Sequence, residues 1–202
     1  MFDSIAGDYD ALNHILSLDV DKIWRKKALK QIVDAPAPVQ VLDLACGTGD
    51  FSIAIAKALS SATGSHVTGV DLSEGMLAVM REKVAKAGLT EMISIEEGDG
   101  VNLRFPDNTF DRVTIAFGIR NFENREKGLR EMLRVLKPGG RLVILELSRP
   151  ENKIIRWFYD LYFLHILPKV GGKVSGDKAA YAYLPASVAA FPGKKAFMAT
   201  MP

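Results

Sequence analysis

The sequence predicts an α/β domain in which a mostly parallel sheet is covered by helices on both faces. Three observations carry this expectation. Short apolar segments alternate with helix-length amphipathic ones between residues 39 and 147. The first of the short segments runs into a glycine-rich turn, Cys46-Gly47-Thr48-Gly49. Later ones are followed by single carboxylates, Asp71 and Asp99. Sheets of this kind hold ligands beyond the carboxyl ends of their strands.

The bulk numbers exclude several classes. A chain of 202 residues supports one domain with a substantial core. With 48% hydrophobic and 25% charged residues, compositional disorder is excluded. A net charge of +2, with basic residues spread along the chain, gives no phosphate-tracking patch, so nucleic acid is not an expected partner. The single cysteine, Cys46, allows no intramolecular disulfide and fits a reducing compartment. The start, Met1-Phe2-Asp3-Ser4, lacks a basic stretch followed by an apolar one, so no signal peptide is expected. No apolar run reaches the roughly 18 residues of a membrane span. The nearest, residues 154–167, is interrupted by Arg156, Asp160 and His165. The expected location is cytoplasmic.

Residues 1–35 read as helical, with Ile23, Ala28, Leu29 and Ile32 on the apolar face and Lys22, Arg25, Lys26, Lys27 and Lys30 on the wet one. Pro36 and Pro38 punctuate the chain there. A buried strand is predicted over 39–45, a helix over 51–59 and a second strand over 66–70 ending at Asp71. Ser73 is a natural N-cap for a helix over 74–87 that Gly88 terminates. Strands follow over 93–96 and 112–117. A helix over 125–136 is closed by Lys137-Pro138-Gly139-Gly140, and a fifth strand covers 141–147. Beyond Leu147 no strand is predicted. Ile154, Trp157, Phe158, Leu161, Tyr162 and His165 fall at helical spacing. Read together, these elements make one domain: a helical cap (1–35), a ligand-binding core (36–149) and a helical segment on the substrate side (150–202).

The chemistry concentrates at Asp43-Leu44-Ala45-Cys46-Gly47-Thr48-Gly49-Asp50. Gly47 and Gly49 allow a tight turn and close approach of backbone to ligand. Thr48 adds a hydroxyl and Asp43 a carboxylate. A pyrophosphate fingerprint needs a third glycine-like position three residues after the second, where Ser52 stands, and Asp50 adds charge of the wrong sign for a phosphate. That disfavours an NAD-dependent oxidoreductase. No Gly-Lys-Ser/Thr follows, so this is no P-loop. A turn bearing carboxylates suits a ligand with an ammonium and a sulfonium. Asp71 is placed to accept ribose hydroxyls, Asp99 to accept from an adenine amine and Gly100 to offer a backbone donor. The competing reading makes each a plain turn or cap residue. Their order and spacing favour an adenosyl site.

These motifs resemble class I S-adenosylmethionine (SAM)-dependent methyltransferases, and more narrowly the ubiquinone/menaquinone-biosynthesis methyltransferase family. Tyr9-Asp10-Ala11-Leu12-Asn13 with Leu16-Ser17 and Trp24-Arg25 resembles that family's N-terminal signature. Phe105-Pro106-Asp107-Asn108-Thr109-Phe110-Asp111, Phe117-Gly118-Ile119-Arg120-Asn121, residues 134–140 running to Glu146-Leu147-Ser148, and Tyr181-Ala182-Tyr183-Leu184-Pro185 extend the resemblance over nearly the whole chain.

The resemblance implies a Rossmann-like three-layer sandwich with SAM as cofactor, bound by Thr48, Asp71, Asp99, Gly100 and Ala116 beside Asp43, Gly47 and Gly49. It also implies C-methylation of a polyprenylated quinol. Demethylmenaquinol is favoured by Leu12-Asn13-His14, Leu16-Ser17-Leu18 and Asp21-Lys22. The alternatives are a 2-polyprenyl-6-methoxy-1,4-benzoquinol and a non-catalytic SAM-binding subunit. Arg120, Asn121 and Tyr9 match residues of substrate activation. Arg120 is read as the cation that stabilises a quinolate and Asn121 as the group that orients a water, since an arginine is a poor base. The competing reading pairs Arg120 with Asp111 or Glu123. The aromatic run from Ile154 is read first as a core-packing helix and second as the roof of a prenyl channel, or as a peripheral contact with the inner face of the plasma membrane. A homodimer is left open. His14, His66 and His165 lack ligand spacing, so no metal is expected. Asp99-Gly100 and Asp19 depart from the usual pattern. Members usually continue into two further strands that complete a sheet of seven, so a C-terminally shortened product is expected.

Overall fold

The computed structural model describes residues 20–34, 38–148, 150–161, 183 and 186–201. Its frame is a five-stranded sheet of β1 (Gln40–Leu44), β2 (His66–Asp71), β3 (Ile93–Glu97), β4 (Phe110–Ala116) and β5 (Leu136–Leu145), in the order β3-β2-β1-β4-β5. Every pairing is parallel. The main helices are α1 (Val20–Val33), α2 (Asp50–Leu59), α3 (Glu74–Lys86) and α4 (Arg125–Val135), followed by α5 (Lys153–Leu161) and the short α6 (Lys194–Met198).

A strand covered on both faces reads as a continuous apolar run, because successive side chains point to opposite sides. Val41 joins Ile32, Phe51, Ile55, Leu77 and Met80 on one face. Its neighbour Leu42 joins Val113, Leu129, Met132 and Phe197 on the other. Each fully buried aliphatic side chain of this kind contributes about 1.5–3 kcal/mol. The helices α3 and α4 start at side-chain caps. The Ser73 hydroxyl accepts from the Met76 amide at 3.3 Å, and the Asn124 side chain accepts from the Lys127 amide at 2.9 Å.

Three expectations change. The Lys137-Pro138-Gly139-Gly140 turn lies within β5: Phe110 pairs with Leu136 and Arg112 with Arg141, so the turn bulges out of a strand that has already begun. On α1, Ala28 and Ile32 are buried, but Ile23 is exposed and Arg25 turns away from solvent into the cleft described below. Of the N-terminal helical reading, residues 1–19 lie outside the described residues. Of the stripe expected to pack into the core, Ile154, Trp157 and Leu161 are exposed. His165 and the rest of that run lie outside the described residues.

The strand order places the site. Connections run to one side from β1 to β2 and β3, and to the other from β4 to β5. A crevice therefore opens between the carboxyl ends of β1 and β4.

Candidate active site

The crevice is lined from the β1 side by Asp43, Ala45, Gly47, Thr48 and Asp50, and from the β4 side by Ala116 and Phe117. Both strands end in an unusual backbone. Ala45 (φ 53°) and Phe117 (φ 61°) sit in the left-handed region that non-glycine residues rarely adopt. Each redirects the chain at the strand tip. At the head of α2, Gly49 (φ 83°) shares this backbone conformation, and a side chain there would collide with Met80.

Asp43 is buried, and its carboxylate accepts from the Ser52 hydroxyl at 2.5 Å. Burial pushes its pKa up to about 7, and the Asp71 charge adds to the rise. The Ser52 hydrogen bonds and the nearby Arg25 cation act against it. Ser52, the residue that spoils the pyrophosphate fingerprint, thus serves the acid behind the turn. Asp71, at the tip of β2, accepts from the Gly47 amide at 2.8 Å and from the Ser73 amide at 2.9 Å. A carboxylate has about four acceptor positions, so each oxygen retains capacity. Asp71 is clamped against the glycine turn.

Thr48 is buried, and its hydroxyl accepts from Lys83 of α3 at 3.3 Å. Lys83 also forms an ion pair with Asp50. Asp99 is exposed and accepts from the Val101 amide at 3.0 Å, the turn role that competed with adenine binding; one oxygen serves the turn without excluding the other use. Gly100 is buried beneath the ring of Phe122. Cys46 packs against Met80, sulfur to sulfur at 3.5 Å, and burial pushes its thiol well above the usual range, so it is no nucleophile.

On the substrate side, a short 3-10 turn (Ile119–Asn121) follows β4. Arg120 is buried there, and its partner is neither Asp111 nor Glu123. Its guanidinium pairs with Glu146 at 3.0 Å, with both side chains about 95% shielded, and also donates to the Phe117 carbonyl. The second Glu146 oxygen accepts from the Arg120 amide at 3.1 Å. Asp111 instead binds Lys137 and the Gln40 amide. Nε of Arg120 donates to Ser187 at 3.3 Å, and Asn121 accepts from the Tyr183 hydroxyl at 2.8 Å. Tyr9 lies outside the described residues.

Four contributors escaped the sequence reading. Arg25 looked like a wet-face cation, yet its guanidinium lies 5.4 Å from the Phe117 ring and 6.0 Å from that of Phe51, inside the crevice. Glu146, Lys83 and Tyr183 act across 26, 35 and 62 residues of sequence, and no local pattern announces such pairs.

The ligand implied by the motifs carries an ammonium, a sulfonium and a carboxylate. The crevice offers the carboxylates of Asp43 and Asp50, the Arg25 guanidinium and a wall formed by Gly47 and Thr48 of the glycine turn, so the residues present fit it. Fold and site together define a SAM-dependent methyltransferase of the Rossmann-like class. A solved SAM-dependent methyltransferase from Aquifex aeolicus superposes with a TM-score of 0.56 at 28% identity, over 64% of this chain and 66% of that one. The chain is 48% identical over 192 residues to the demethylmenaquinone methyltransferase of Bacteroides fragilis, a match spanning 95% of this chain and 77% of the relative. It is also 48% identical over 201 residues to the ubiquinone/menaquinone biosynthesis C-methyltransferase UbiE of Geobacter sulfurreducens, spanning 100% of this chain and 77% of that one. The ubiE/COQ5 methyltransferase family model matches residues 1–202, and the chain belongs to that family. Among the described residues, no helix is long and apolar enough to cross a membrane.

Proposed function

We propose that this enzyme methylates a ring carbon of a polyprenylated quinol, demethylmenaquinol being the favoured substrate. The observation that carries the proposal is the juxtaposition of two differently equipped strand tips at the switch point. The β1 tip bears carboxylates and the glycine turn for the cofactor, and the β4 tip bears Arg120 and Asn121. The names of the relatives from Bacteroides fragilis and Geobacter sulfurreducens support the choice of quinol.

Bound SAM supplies an electrophilic methyl on a positively charged sulfur. Asp71 and Asp99 would hold its ribose and adenine, Asp43 its ammonium and Arg25 its carboxylate, while Ala116 leaves room at the crevice wall. Holding both reactants in line supplies much of the rate of such a displacement. The acceptor carbon becomes nucleophilic when the neighbouring hydroxyl loses its proton to water. A guanidinium is too weak a base to take that proton. Nη1 and Nε of Arg120 are engaged, whereas Nη2 has no hydrogen-bond partner among the described residues, which leaves a cationic donor for the quinolate oxygen. Asn121 and Tyr9 complete this activating group. Once the carbon–carbon bond has formed, the ring hydrogen leaves as a proton. The exposed Ile154, Trp157 and Leu161 fall at helical spacing on α5 and support a contact with the lipid phase in which a prenyl tail resides.

Transfer of labelled methyl from SAM to demethylmenaquinol, measured beside the benzoquinol alternative, tests the reading. Turnover of demethylmenaquinol is expected. Tight binding of S-adenosylhomocysteine without turnover of either quinol would instead establish a non-catalytic subunit.

A further inference from the structure

An asparagine amide has two ends of nearly equal size and opposite character: a carbonyl that accepts and an NH2 that donates. In Asn121 the carbonyl end is taken, since its Oδ1 accepts from the Tyr183 hydroxyl at 2.8 Å. The adjacent Arg120 is held from the same stretch of chain, its Nε donating to Ser187 at 3.3 Å. Consecutive side chains at the β4 tip are thus fixed by polar groups four residues apart in the C-terminal part of the chain. We propose that Tyr183 is a positioning residue for methyl transfer, engaging the carbonyl of Asn121 so that its NH2 end is presented to the quinolate oxygen.

The inference rests on the role given to Asn121 above and sharpens it: the amide acts as a hydrogen-bond donor to developing negative charge. Without Tyr183 the amide is free to turn, and a carbonyl facing a quinolate repels it. With the hydroxyl in place the donor is oriented before substrate arrives, which is where electrostatic stabilisation is most effective. A donor to an ionised oxygen also lowers the pKa of the quinol it touches.

Tyr183→Phe keeps the ring and removes the hydroxyl. The expected result is a fall in kcat of about tenfold, the scale of one oriented hydrogen bond, with KM for SAM unchanged. The ascending limb of the kcat–pH profile should also move to higher pH, because the quinol is harder to ionise. A tie that only braces the fold would lower the melting temperature and leave the pH profile where it was, and that result overturns the proposal. In an Asn121→Ala background, Tyr183→Phe should add no further loss. If Tyr183→Phe does not fold, Asn121→Asp, which replaces the donor by an acceptor, should show the same alkaline displacement. Should Asn121→Ala leave kcat and its pH profile intact, the underlying reading of Asn121 fails. Should Asn121→Ala be impaired while Tyr183→Phe behaves as wild type, only the role of Tyr183 fails.

Discussion

The ring of Phe122 lies so close over Gly100 that a β-carbon on the glycine would stand 2.5 Å from its Cζ atom. The same ring crowds Gly128 of α4 equally closely. Phe122 directly follows Asn121, so one side chain couples the turn after β3 to the turn that carries Arg120 and Asn121. Gly100 is therefore required by packing, whatever its backbone contributes to a ligand. Gly100→Ala should cost about 1–3 kcal/mol by overpacking, read as a lower denaturant midpoint, and should weaken S-adenosylhomocysteine binding. Adding Phe122→Leu should recover much of the stability. An unchanged midpoint for the single variant would show that the ring yields freely.

Asp43 makes stability depend on pH in a defined direction. Burial raises its pKa in the folded protein to about 7 from the ordinary 3.8. Between these values the folded state holds a proton that the unfolded state has released, so stability falls as pH rises through that window and levels off above about 7. Asp43→Asn should flatten this part of the profile, measured as unfolding free energy at pH 5 and pH 8. The ligand ammonium favours the ionised acid, so S-adenosylhomocysteine should bind more tightly as pH passes through 7, releasing a proton detectable by calorimetry in buffers of different ionisation enthalpy.

Arg25 gives a test specific to one end of the cofactor. Arg25→Met should weaken S-adenosylhomocysteine by about tenfold or more through loss of a charge-assisted contact. The affinity for 5′-methylthioadenosine, which lacks the amino-acid end, should stay unchanged. Equal losses for both ligands would mean that Arg25 only props the cleft through Phe51 and Phe117.

The Arg120–Glu146 pair is nearly fully buried, and removing one member strands the other. Glu146→Ala should destabilise by about 3–5 kcal/mol. The double variant Arg120→Met/Glu146→Leu should regain most of that stability and still transfer no methyl group. Stability and activity would then separate at a site where they are joined in the native chain.

The sheet and the cofactor turn were legible because their signals are local. β-branched runs, the spacing of Gly47 and Gly49 and the cap at Ser73 act within a few residues. The family resemblance drew the remaining outline. What misled was equally specific: Lys137-Pro138-Gly139-Gly140 has the composition of a helix-ending turn, and only pairing with β4 shows that a strand is already under way there.

The sequence by itself determined the parallel α/β architecture, the glycine-rich turn after β1 and the family, since each is written in periodicity or in contiguous motifs. The tertiary structure alone decided that Arg25 faces the crevice, that Glu146 pairs with Arg120 and that Tyr183 holds Asn121. Those relationships join residues far apart in the chain. Their energies depend on burial and orientation, which exist only once the strand tips have been brought together.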